Sequence, residues 1–187
     1  MNQIQEILHE FVAAIQEGRP RDIIGLTYEL RTEVGKGKQF PDDAFGFLIE
    51  FLSRDDVLDA REGIWAIFLM FEADWEKLTN SQRERLLGPS ELLFKRTQDQ
   101  KAALMIAELL GEYFKDEQAL DVLIRLAQLE DASKRVEIPH GLEHLIRANP
   151  SPSLKLRVLE ILTDMSRDEN EEVRKEAANS RVAIEGC

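Results

Sequence analysis

Apolar residues recur at three- and four-residue intervals in this chain, in stripes that break at regular places. Such a stripe is one face of an amphipathic helix and must be covered by something. Ile4, Ile7, Leu8, Phe11, Val12 and Ile15 form the first stripe, which Gly18 and Pro20 end. Ile23, Ile24, Leu26, Tyr28 and Leu30 form a second that stops near Gly35 and Gly37. Pro41 opens a third at a first helical turn, carrying Phe45, Leu48, Ile49 and Leu52 to a corner at Ser53–Asp56. The fourth stripe holds Ala60, Ile64, Ile67, Phe68 and Phe71 and contains Gly63, which costs about 1 kcal/mol against alanine inside a helix.

The pattern continues to the end of the chain. Leu86, Leu87, Leu92, Leu93 and Phe94 precede Ala102, Ala103, Ile106, Ala107, Leu109 and Leu110. The Gly88-Pro89 step is expected to divide or shorten the helix that contains it. Leu120, Leu123, Ile124, Leu126 and Ala127 begin a fourth pair, whose partner is expected to kink or break at Pro139. In the last pair Ser151 or Ser153 is placed to cap the first helix, and Asn170 to cap the second. Strand signals are poor, because no alternating apolar runs are joined by a tight Asn-Gly or Asp-Gly turn.

The expected fold is all-α, one domain over 1–187 built of hairpins at 2–35, 41–73, 80–114, 116–148 and 152–184. Five pairs give a unit of about 37 residues, in the range of helical solenoid repeats, where each hairpin covers its neighbour's apolar face.

Residue pattern carries a resemblance in two of the pairs. In DENEEVRKEAANS, Asp168 stands five positions before Val173-Arg174, with Ala177 as a small residue. In DDVLDAREGIWAI, Asp55, Ala60-Arg61 and Ile64 repeat the spacing, and Glu130 and Arg135 lie in approximate register. These segments resemble the second helix of a HEAT repeat. The resemblance implies a right-handed curved α-solenoid of about five hairpins, with the first pair as a cap. It further implies acid–arginine links between repeats, with Arg61 matched to Asp55. It also implies second helices lining an inner surface that receives a protein or peptide.

Charge narrows the partner. Lys and Arg number 24 against 36 Asp and Glu, a formal net charge of -12, and the excess is spread along the whole sequence. That opposes nucleic acid, which needs a positive surface, and favours encounter with a basic protein. Glu62, Glu108, Glu112, His140 and Glu143 flank the apolar stripes and are the expected contact residues. All Phe, Trp and Tyr residues lie between Phe11 and Phe114. Among them Trp65, Phe68, Phe71 and Trp75 are close in helical phase, and Trp65 joins the contact set as an aromatic anchor.

Catalytic signals are weak. The sequence has no phosphate-binding glycine loop, and its single cysteine, Cys187, has no recognisable histidine partner. His140 and His144 share a helix side, but HGLEH lacks the glutamate placement of an HExxH zinc site and names no third ligand. Glu143 points about 100 degrees away from His144 on an ideal helix. No cofactor and no metal are therefore expected.

The expected function is a noncatalytic adaptor or inhibitor, including an immunity-like inhibitor of a basic protein. A structural assembly module and a HEAT-like enzyme acting on nucleic acid are the alternatives. No apolar run reaches the roughly 20 residues that span a bilayer, and the opening residues do not resemble a signal peptide. A cytoplasmic location and no membrane partner are expected.

Overall fold

The computed structural model describes residues 3–114 and 116–186, so Asn2, where the first hairpin is expected to begin, and Cys187 lie outside it. Every regular element among the described residues is helical, in agreement with the all-α expectation. The helices are α1 (Gln3–Gln16), α2 (Asp22–Gly35), α3 (Asp42–Leu52), α4 (Arg61–Ala73), α5 (Asn80–Arg96), α6 (Gln100–Leu109), α7 (Glu117–Ala127), α8 (Ala132–Arg135), α9 (Ile138–Ala148), α10 (Pro152–Met165) and α11 (Glu171–Glu185). A π-helical turn, Leu110–Phe114, continues α6. The chain divides into two compact units, 1–102 and 103–187.

In the first unit α1 packs on α2 and α3, α2 on α4, and α3 on α5. Its core is aromatic. Phe11 meets Phe51 and Phe47 edge-on, with centroids 5.4 and 5.8 Å away, and Phe45 meets Phe71 at 5.8 Å. Gly63 has a packing reason that outweighs its helix propensity: a Cβ there would lie 2.4 Å from Ile23 Cγ2 and 2.5 Å from Ile23 Cβ. Its absence lets α4 approach α2.

Helix α5 begins with a capping box. Thr79 Oγ1 accepts from the Gln82 amide at 3.2 Å, and Gln82 Oε1 accepts from the Thr79 amide at 2.9 Å. The helix then runs unbroken through Pro89, contrary to the expected division. The disfavoured conformation before proline arises from the preceding residue's Cβ and N–H, and Gly88 has no Cβ to clash with the ring. Ser90 Oγ adds a bond to the Leu86 carbonyl at 2.8 Å in the same turn.

In the second unit α7 packs on α9, α10 on α7, α9 and α11, and α11 on α9, while the π-helical turn lies against α9. Pro139 breaks the chain as expected: α8 ends at Arg135 and α9 restarts at Ile138 with the proline in its first turn. Proline is harmless there because the amide it lacks has no partner within the helix. Asn170 caps α11 as expected, its Oδ1 accepting from the Glu172 and Val173 amides. Ser151 occupies the N-cap of α10 without a capping side-chain bond, and its hydroxyl lies 3.0 Å from that of Ser153.

Two arginines make the same main-chain contacts. Arg135 Nη1 donates to the carbonyls of Leu129 and Glu130 at 2.7 and 2.8 Å, and Arg174 Nη1 to those of Asp168 and Glu169 at 2.8 and 2.9 Å. Arg135 also binds the Asp168 carboxylate through Nε and Nη2, both at 2.8 Å. The Asp55–Arg61 match is corrected: Asp55 is held by Arg96 of α5, which also donates to the Ser53 carbonyl, and Arg61 is exposed.

Candidate functional site

Within the first unit, the amino-terminal half of α4 presents an aromatic and an acid side by side. Trp65 is 38% exposed, whereas Phe68, Phe71 and Trp75, close to it in helical phase, are buried. A helix that packs one stripe against its neighbours leaves the residues outside that stripe in water, and Glu62 and Trp65 fall there. They are three positions apart, so the carboxylate and the indole are neighbours on the helix surface.

An open pocket of about 400 Å³ lies beside this surface, lined by Pro20, Arg21, Asp59, Ala60, Arg61, Glu62 and Gly63. Two acids, Asp59 and Glu62, and two arginines share its wall. The arrangement suits recognition by charge and by one aromatic contact. No nucleophile with an adjacent base is part of it.

The remaining expected contact residues lie in the second unit, where Glu108, Glu112 and His140 make contacts between helices. His140 Nε2 is 2.8 Å from Glu108 Oε1, and His144 Nδ1 is 2.9 Å from Glu112 Oε2. The two imidazoles, one helical turn apart on α9, have centroids 4.6 Å apart and meet edge-on. Glu143 points elsewhere and pairs with Arg147. Glu108, Glu112 and His140 therefore also serve as helix-to-helix links while remaining partly exposed.

Glycine makes these links possible. A Cβ on Gly111 would lie 2.0 Å from the Gly141 carbonyl oxygen, and one on Gly141 would lie 2.7 Å from that of Ala107. Main chain thus meets main chain, and Glu108 and Glu112 on either side of Gly111 reach the histidines on either side of Leu142. Glu112 sits within the π-helical turn, an irregularity found often at functional sites. Among the described residues, the donors close enough to hold a metal ion are Glu108, His140 and His144, whose ligand atoms lie within 4.8 Å of one another. In the sequence His140 and His144 share a helix side with no third ligand named, and the structure brings Glu108 from another helix into that place.

No protein family, curated protein or solved structure matches this chain. Among the described residues, no helix is long and apolar enough to cross a membrane.

Proposed function

We propose that this chain is a noncatalytic protein-binding module, an adaptor or inhibitor of a basic partner, built as a curved solenoid of HEAT-like hairpins. The observation that carries the reading is Trp65, a large aromatic left 38% exposed beside Glu62 and an open pocket. Tryptophan is over-represented among the few residues that dominate protein interfaces. The net charge of -12 supports a basic partner by accelerating encounter and opposing nucleic acid. The packing of α1 on α3, α3 on α5 and α2 on α4 supports the stacked-hairpin reading, as does the contact shared by Arg135 and Arg174.

The test belongs on the first unit, since lysines at Glu108 and Glu112 would also disrupt the histidine links. Partners are recovered from native extract with the wild-type chain and with a Glu62→Lys, Trp65→Ala variant, then purified and titrated at two salt concentrations. A basic protein bound more weakly at high salt, and at least about 30-fold more weakly by the variant, is the expected result, corresponding to the 2 kcal/mol or more of an interface hot spot. Equal binding by a variant with unchanged helical circular dichroism rejects this surface. Self-association of the wild type in place of capture supports the assembly alternative.

A further inference from the structure

We infer that Glu108, His140 and His144 form a binding site for a divalent transition metal, with zinc the best fit, and that Glu112 orients His144 for it. Three observations converge on this site. The donor atoms are already gathered within 4.8 Å, and they come from two helices whose main chains are locked in contact at Gly111 and Gly141. The donor set is two imidazoles and a carboxylate, suited to zinc and its neighbours rather than to calcium or magnesium, which favour oxygen. Finally, His144 is held through Nδ1 by Glu112 at 2.9 Å, which leaves Nε2 to present its lone pair. A carboxylate bound to the far nitrogen of a ligating histidine is the usual orienting partner in such sites.

The geometry needs only a small adjustment. Two donors around one ion, each at about 2.0 to 2.1 Å, stand at most about 4.2 Å apart. The observed limit of 4.8 Å exceeds this only slightly, so small side-chain rotations would close it. Glu108 and His140, now 2.8 Å apart, would exchange their hydrogen bond for two bonds to the ion. Coordination through His140 Nε2 requires that nitrogen to be unprotonated, with the ring proton on Nδ1. Three protein donors leave the fourth tetrahedral position to water, the pattern of an open zinc site. Glu143, the acid inside HGLEH, has no part in the set: it pairs with Arg147.

The test uses the full chain carrying Cys187→Ser, so that the thiol contributes nothing, titrated calorimetrically with zinc chloride and followed with cobalt(II) by visible absorption. One zinc per chain is expected, together with cobalt bands of the intensity that low-symmetry, four-coordinate sites give. His140→Gln and His144→Gln each weaken binding by at least 100-fold and abolish those bands. Glu112→Gln weakens it by 10- to 100-fold, the range for an orienting partner. Glu143→Gln leaves it unchanged. Thermal unfolding gives a second readout, because zinc raises the melting temperature only where the site is intact. Should a histidine variant not fold, Glu108→Gln tests the same site. Absence of stoichiometric binding, binding undiminished in the histidine and Glu108 variants, or loss on Glu143→Gln each overturns the assignment.

Discussion

The Arg135 guanidinium binds the Asp168 carboxylate at two points, Nε to Oδ2 and Nη2 to Oδ1, both at 2.8 Å and largely shielded from water. Its remaining nitrogen holds the carbonyls that end the preceding segment. One side chain thereby joins the approach to α8 with the loop before α11.

Arg135→Ala is expected to destabilise the second unit by about 2 to 3 kcal/mol, because it leaves a largely shielded carboxylate without its guanidinium partner. Lysine at this position recovers only a fraction, having no planar fork for two-point binding. Urea unfolding followed by circular dichroism measures both.

Arg135 also sets an acid limit. Its hydrogen bonds hold the Asp168 carboxyl below the ordinary aspartate range, and the Asn170 amide assists. A folded-state value below the unfolded one means that the unfolded chain binds the proton more readily. The stabilisation is present in full above about pH 4 and declines as pH falls through the depressed folded-state value. Arg135→Ala flattens this part of the acid limb, as unfolding free energies measured between neutrality and acid will show.

Gly111→Ala and Gly141→Ala should each cost about 3 kcal/mol or more, since the added methyl meets main-chain carbonyl oxygen that no rotamer change can move. The helices must part, so the Glu112–His144 bond lengthens with them. Thermal unfolding gives the first effect. Loss of the His144 imidazole's hydrogen-bonded signal in NMR gives the second.

Glycines within helices need not behave alike. Gly25 lies in α2 with nothing within 4 Å of the place a methyl group would take, and Gly25→Ala should stabilise by about 0.5 to 1 kcal/mol. Gly63→Ala should destabilise, because Ile23 occupies the space. A shared sign in the two melting temperatures would refute the packing account of Gly63.

Trp65→Ala and Trp75→Ala separate surface from core in the same way. The buried indole of Trp75 should cost about 3 to 5 kcal/mol on truncation, and the half-exposed indole of Trp65 well under half of that. Chemical denaturation of the two variants makes the comparison.

Helix periods are legible in the sequence because an apolar stripe is a local property: Phe11, Leu48, Ile67 and Leu123 are buried where their phase puts them. The cap at Asn170 and the break at Pro139 are legible for the same reason. The Gly88-Pro89 step reads as a breaker in the sequence, yet the helix continues, because Gly88 has no Cβ to meet the proline ring. Arg135 makes two of its four hydrogen bonds to main-chain carbonyls, which no side-chain pattern reveals, and the other two to Asp168, 33 positions away. The histidine links are hidden more deeply. Glu108 and His140 are 32 positions apart, and what brings them together is the contact of Gly111 with Gly141, a tertiary fact with no local periodicity.

The uneven placement of aromatic residues gives the molecule a built-in optical label. Trp65 and Trp75, its two indoles, both belong to residues 1–102. Ultraviolet emission excited at the red edge therefore follows the melting of that half alone, while helical ellipticity sums over both halves. Coincident curves would mark the halves as one cooperative block, and separated curves would time the order in which they come apart.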